Sequence, residues 1–359
     1  VILILSQRDI KHPAAGGAEW YTHQAIKQLA GERQVVHLAV GHPGLPASET
    51  IDGIQYIRKG SNLLDLIWHG YRYYARRKDE IELVIDHSNT HQFFTFLWAG
   101  RKRVFFIHQL TQEIWTYFYG RLAGWAAWRL ENALLRLSRG TAITVSESTR
   151  SDLLAKGFTQ IYLCQEGNEP KRHTLPDTRK NGALLYVGRL VPYKRVEDAI
   201  RLAAELNKKL IVIGRGPASY EKKLRQLAAD CRADCRFMGF LPKAEKERLM
   251  EEAELLVMPS IREGWGLVIT EAANLGTPSL VYDVPGTSEA VQHGAAGFVA
   301  ERVHWSSLAE TYRRITPEVY DAVRASAFVF SHTLSWKKTA SQFREAVHAI
   351  LHERQEERS

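Results

Sequence analysis

A mixed α/β protein, with two doubly wound and mainly parallel sheets, is predicted for this 359-residue chain by three observations. Short aliphatic runs recur along the chain, separated by stretches of helical periodicity. A polar, proline-containing stretch, Glu169 to Asp177, interrupts the alternation, which then restarts. Turns rich in glycine and charge follow most of the runs, at the carboxyl strand ends where open α/β sheets meet their ligands. The length suits two domains, each able to bury its own core. Two such halves are expected to face each other across a cleft.

In the first half, Val1 to Leu5 is continuous and aliphatic, as in a strand buried on both faces. The loop from His12 to Glu19 carries Gly16-Gly17 at the start of a helical pattern that runs to Leu29. Adjacent glycines at a helix start expose backbone N–H groups to a phosphate or a sugar, although a plain turn is the commoner reading of such a pair. Neither Gly-x-Gly-x-x-Gly nor a P-loop ending is present at this position. Further strands are expected at Gln34–Val40, Gly53–Ile57, Glu82–Asp86, Arg103–Ile107 and Thr141–Val145. His108 directly follows one of them and so sits at a ligand-facing strand end. Two stretches combine aromatics with basic residues: Arg72 to Lys78, and Ile114 to Leu137 with Trp115, Trp125, Trp128, Arg121 and Arg129. Basic segments carrying Trp and Tyr suit an anionic membrane face. An ordinary surface with buried aromatics and solvated charges is the simpler expectation.

In the second half, strands are expected at Ala183–Val187, Leu210–Ile213, Cys235–Met238, Leu255–Met258 and Ser279–Tyr282. The first leads into Gly188-Arg189-Leu190-Val191-Pro192-Tyr193-Lys194, where an arginine fork and a mobile lysine can clamp a diphosphate from two directions. Gly214-Arg215-Gly216-Pro217 follows the second strand, Gly239 the third and Pro285-Gly286 the fifth. The fourth opens into Pro259-Ser260-Ile261-Arg262-Glu263-Gly264-Trp265-Gly266-Leu267, with a helix expected from about Gly264 to Leu267 onward and carrying Glu271. Taken alone, this stretch is as well read as a capped helix in which Glu263 balances the helix dipole. Four or five loaded strand ends in a row favour a binding site.

Composition narrows the class. With 45% hydrophobic and 25% charged residues the chain reads as a soluble globular protein, and no apolar run is long enough to span a bilayer. No secretory signal is visible. Cys164, Cys231 and Cys235 are too few for a disulfide framework and lack zinc-ligand spacing. A reducing cytoplasm is therefore expected, with a peripheral position on the inner membrane face as an addition. The net charge of +8 calls for anionic partners in general.

Taken together, these residues resemble the GT-B glycosyltransferases of family 4. Glu263 and Glu271 are similar to that family's Glu-x7-Glu pair, in a Glu-Gly-Trp-Gly version of its usual Glu-Gly-Phe-Gly. Gly188-Arg189 with Lys194 resembles its diphosphate clamp, Gly16-Gly17-Ala18-Glu19 its N-terminal glycine loop, and His108 its strand-end histidine. Ser335-Trp336-Lys337-Lys338-Thr339-Ala340 resembles the opening of its last helix. One departure stands out: Glu166-Gly167-Asn168-Glu169-Pro170 replaces the frequent Asn-Gly-Val-Asp turn.

The resemblance implies a Rossmann-like acceptor domain over residues 1–168, a Rossmann-like nucleotide-sugar domain over 169–330, and a helical segment 331–359 crossing back to the first. It implies a retaining transfer of a hexose-type sugar from a nucleoside-diphosphate sugar, of UDP or GDP type, to a glycan, lipid or small-molecule acceptor. Glu263, His108, Arg189 and Lys194 are the expected catalytic residues. Donor contacts are expected from Gly16, Gly17, Gly188, Arg189, Lys194, Gly239, Glu263, Gly264, Trp265, Gly266, Leu267 and Glu271. Glu271 is expected at the ribose, Glu263 at the sugar and the Gly264-Trp265-Gly266 turn near the diphosphate. No cofactor, metal or nucleic acid is expected; the sequence has no Asp-x-Asp. A nucleotide-sugar epimerase or hydrolase, or a non-catalytic nucleotide-sugar-binding protein, are the alternatives.

Overall fold

A computed structural model of the chain describes residues 1–88 and 91–356, and the expected tail at 357–359 lies outside them. The chain divides into two compact units. One comprises 1–112, 126–167 and 336–359, and the other 113–125 with 168–335.

The first unit is built on an eight-stranded sheet. Its strands are β1 (Ile2–Leu5), β2 (Val35–Ala39), β3 (Ser48–Ile51), β4 (Ile54–Arg58), β5 (Leu83–Ser88), β6 (Arg103–Ile107), β7 (Thr141–Thr144) and β8 (Gln160–Leu163). They lie in the order β3-β4-β2-β1-β5-β6-β7-β8, and the pair β3/β4 is antiparallel. Successive residues of a strand point to opposite faces, and β1 uses both. Ile2 and Ile4 pack with Tyr21, Ile26, Phe343 and Val347, whereas Leu3 and Leu5 pack with Leu66 and Tyr74. The last helix, Trp336–Glu356, thus inserts Phe343, Val347 and Ile350 into this core.

The second unit carries β9 (Leu184–Val187), β10 (Leu210–Ile213), β11 (Cys235–Gly239), β12 (Leu255–Met258), β13 (Ser279–Tyr282) and β14 (Phe298–Ala300). Their order is β11-β10-β9-β12-β13-β14. Counted from β9 this is 3-2-1-4-5-6, a Rossmann-like order that reverses between β9 and β12. The turns after those two strands therefore emerge side by side at the switch point.

The strands β3, β8 and β14 lie outside the expected set. β3 and β8 are half-exposed edge strands, β3 largely polar and β8 with only a short apolar run, Ile161 to Cys164, and β14 has only three residues.

The segment Ile114–Ser138 departs further from expectation. It is helical but broken at Gly120, whose φ of 75° and ψ of 179° are not helical. Past the break the chain doubles back, so that a Cβ on Gly124 would lie 2.5 Å from the Cα of Thr116. Residues 113–125, expected within the first domain, accordingly cluster with the second unit. Their aromatics are only partly buried: Trp115 is in the core as expected, whereas Tyr117, Phe118, Tyr119 and Trp125 are exposed together with Leu122, as are Leu64, Trp68 and Tyr71 on the helix Leu63–Arg76.

Candidate functional site

In the second unit the site grows from the glycine turns. The ends of β9, β10 and β11 are stitched together by backbone hydrogen bonds: Gly188 N to Ile213 O at 3.0 Å, Leu190 N to Arg215 O at 2.9 Å and Gly214 N to Gly239 O at 2.8 Å. A Cβ on Gly214 or Gly216 would overlap the carbonyl oxygen of Gly188 or Leu190. Those two glycines are required by close packing of turn on turn, and they hold Arg189 in place.

Arg189 is exposed, and its Nη2 donates to the Tyr193 hydroxyl at 3.1 Å. Lys194 ends a short 3-10 turn, Pro192–Lys194, and is buried. Across the switch point its ammonium pairs with the Glu263 carboxylate, also buried. The backbone of Glu263 is fixed by donation from its N–H to Pro285 O at 3.1 Å. Next to it, Arg262 is buried and its Nε donates to Glu113 Oε1 at 2.8 Å. Ile114, Tyr193 and Ile261 form a small apolar cluster beside Lys194 and Glu263. The segment 113–125 thus flanks the pair, which no motif in the sequence indicates.

The helix expected to begin between Gly264 and Leu267 starts at Leu267 and runs to Asn274. Gly266 precedes it with a φ of 94°, a left-handed conformation that suits glycine, so Glu263 lies in the turn and not on the helix. Ile269 N donates to Gly266 O at 2.8 Å, the amides of Leu267 and Val268 precede any intrahelical acceptor, and the helix dipole favours an anion there. The Trp265 side chain, expected among the donor contacts, is buried in the core with its ring 6.5 Å from Phe330. Only the backbone at this position is available for binding. Glu271 is half-exposed and accepts from Lys246 Nζ at 2.7 Å, a partner that sequence spacing did not reveal.

In the first unit, Gly16 and Gly17 lie exposed at the start of the helix Gly17–Ile26. The Glu19 carboxylate accepts from Gly16 N at 2.7 Å and from Arg8 Nε at 2.9 Å. His108 follows β6 and is buried; its ring meets Tyr21 edge-on at 4.9 Å and His87 at 5.2 Å. Its Nδ1 lies 3.6 Å from Glu166 Oε1. Burial raises the Glu166 carboxyl above its usual range and drives the His87 ring well below its own.

A family model described as Glycosyltransferase Family 4 matches residues 15–167, and one described as Glycosyl transferases group 1 matches residues 167–318. The chain belongs to the family 4 type of GT-B glycosyltransferases. Among curated relatives, the glycogen synthase of Mycobacterium tuberculosis is 29% identical over 248 residues, covering 62% of this chain and 58% of that protein. A D-inositol 3-phosphate glycosyltransferase of Nocardia farcinica is 32% identical over 47% of the chain and 40% of its own length. The matches thus span about half the length of these relatives. The fold is shared with the sucrose-phosphate synthase of Thermosynechococcus elongatus, at a TM-score of 0.79 and 18% identity, covering 97% of this chain and 98% of the other.

Within this family 4 chain, Arg189, Lys194, Glu263 and the Gly266 turn are brought together around one sheet switch point. Gly188 and Gly239 belong to the turn stack beside it. Gly264 and Leu267 flank the buried Trp265, and Glu271 lies one helical turn further on. Arg262, Tyr193 and Lys246 were missed. Arg262 and Tyr193 adjoin recognised motif residues, which is the one signal that pointed to them.

Proposed function

We propose that this chain transfers a sugar from a nucleoside-diphosphate sugar, of UDP or GDP type, to a hydroxyl acceptor with retention of anomeric configuration. The Lys194–Glu263 pair at the switch point carries the reading. A lysine held against a carboxylate is positioned before any ligand arrives. With the Arg189 fork and the free amides after Gly266 it would balance charge developing on a departing diphosphate. Glu263 would then accept hydrogen bonds from the sugar, and Glu271, released from Lys246, from the ribose. Family membership supports the activity. A protein of Anabaena with this fold, at a TM-score of 0.74 and 17% identity over 97% of this chain and 99% of that one, was solved with UDP and glucose.

The test is calorimetric titration with UDP- and GDP-sugars, followed by NMR assignment of the product anomer. Arg189→Ala and Glu271→Ala are each expected to weaken donor binding at least tenfold. Unchanged affinity in both variants would remove the assignment, and an inverted anomer would remove retention. The proposed chemistry uses the chain's own charges, so transfer is expected to persist in excess chelator.

The exposed apolar residues favour a second, additional role at a membrane surface. Leu64, Trp68 and Tyr71 lie on one helix face, with the Arg72 guanidinium 5.8 Å above the Trp68 ring. Co-sedimentation with vesicles containing anionic lipid, lost at high salt and in Trp68→Ser, is the expected result. No sedimentation at low salt would close this reading.

A further inference from the structure

The departure at Glu166 places a carboxylate where the sequence motif led us to expect an amide. We infer that Glu166 is a positioning residue that holds a proton on Nε2 of His108, making the histidine a hydrogen-bond donor to a sugar hydroxyl oxygen. The inference rests on the glycosyltransferase reading for the identity of the ligand alone.

The geometry is specific. His108 Nδ1 and Glu166 Oε1 are 3.6 Å apart, within ion-pair reach and slightly longer than a hydrogen bond. His108 is 8% exposed and Glu166 5% exposed. Both the His108 Nε2 and the Glu166 Oε2 are buried without a hydrogen-bond partner among the described residues. A buried polar atom left unpaired is costly, and a histidine nitrogen in that state is best explained by a ligand.

Glu166 is not free to move away. Thr339 Oγ1 donates to Gln165 O at 2.9 Å, and Gln165 N donates to Gln342 Oε1 at 3.1 Å. At Gly167 a Cβ would lie 2.5 Å from the Trp336 ring. The final helix therefore clamps the carboxylate against the imidazole, and only glycine permits the approach.

The other groups facing His108 do not supply charge. From the helix Gly17–Ile26 comes Tyr21, whose hydroxyl donates to Cys164 O at 2.6 Å. From β5 comes His87, kept neutral by burial. The Cys164 thiol is pushed up to about 12 by burial and so stays protonated. Thr149, on the helix Glu147–Ala155, bonds only the backbone oxygen of His108, at 3.0 Å. The imidazole and Glu166 must settle their protons between themselves.

Three protonation states are open to such a pair. A carboxylate beside a neutral imidazole leaves one net negative charge buried. Either a carboxylic acid donating to Nδ1, or a carboxylate against an imidazolium, leaves no net charge. Burial favours the two neutral states. In both of them Nε2 carries hydrogen, because the partner of one ring nitrogen decides the state of the other. As the pH rises, ionisation of the Glu166 carboxyl, which burial holds above its usual range, takes the donor away.

The test combines two readouts. In protein with 15N-labelled histidine, long-range proton–nitrogen correlation at pH 7, assigned with a His108→Gln variant, is expected to show protonated Nε2. In the pH profile of transfer, wild type is expected to lose kcat/KM on an alkaline limb. Glu166→Gln can donate to Nδ1 but cannot ionise, so it should stay within about fivefold of wild type and lack that limb. Glu166→Leu should lose tenfold or more while keeping the wild-type melting temperature within a few degrees. A bare Nε2 lone pair at pH 7, or an unchanged alkaline limb in Glu166→Gln, overturns the inference. Absence of any transfer by wild type would count against the enzymatic reading, while the nitrogen spectrum still decides the proton's place.

Discussion

Lys194→Met is expected to lower stability by about 3–5 kcal/mol, because it leaves the Glu263 carboxylate buried without its cation. In a domain of this size that corresponds to a fall in Tm of roughly 10 °C. Differential scanning calorimetry measures it directly. The double variant Lys194→Met/Glu263→Leu removes both charges and should recover most of the loss, since an apolar pair of similar volume carries no desolvation penalty. Nucleoside-diphosphate sugar binding should be lost in both variants. This split separates the structural role of the pair from its proposed chemical role. A single variant that melts with wild type would show the pair to be solvated, and recovery of donor affinity in the double variant would show that it does not touch the donor.

Gly286→Ala should be strongly damaging, comparable to a methyl added at Gly214 or Gly216. Gly286 has a φ of 82°, and a Cβ there would overlap the carbonyl oxygen of Glu263 with the carbonyl carbon at 2.6 Å. Strain at positive φ together with overpacking costs about 2–5 kcal/mol. The backbone of Glu263 must shift to relieve the clash, so donor affinity should fall with stability. Gly16→Ala is the matched comparison. Gly16 has an extended φ of −139°, and its added methyl would meet only Glu19 Oε2 at 3.7 Å. Its stability should change by less than about 0.5 kcal/mol. Loss of donor affinity in Gly16→Ala at unchanged Tm would identify that turn as a surface a ligand approaches closely. Equal Tm losses in the two variants would contradict the packing argument.

The difference between these two glycines shows what a one-dimensional reading misses. Both stand in glycine turns after strands, and nothing in the spelling separates them. Only the neighbours in space tell that one is needed by the fold and the other is free to serve a ligand. The same holds for Trp265, read as a donor contact and found with its side chain in the core, and for Glu166, visible as a departure from a motif but without a partner until β6 and the last helix are in place.

By itself the sequence determined the two-fold α/β alternation, the family, and the strand ends that bear charge. Period and apolar run length are local properties, and a buried parallel strand announces itself by continuous aliphatic residues. The edge strands β3 and β8 do not, because half their side chains face water. Tertiary structure alone decided the pairing. Lys194 and Glu263 are 69 residues apart and meet because the strand order reverses between β9 and β12. His108 and Glu166 meet because two strands of one sheet end at the same edge. The break at Gly120, which sends residues 113–125 to the second unit, is likewise set by packing, since the helical pattern runs through it unaltered. Chemistry of this kind depends on which strand ends are neighbours, and that is a property of the sheet order, not of any stretch of residues.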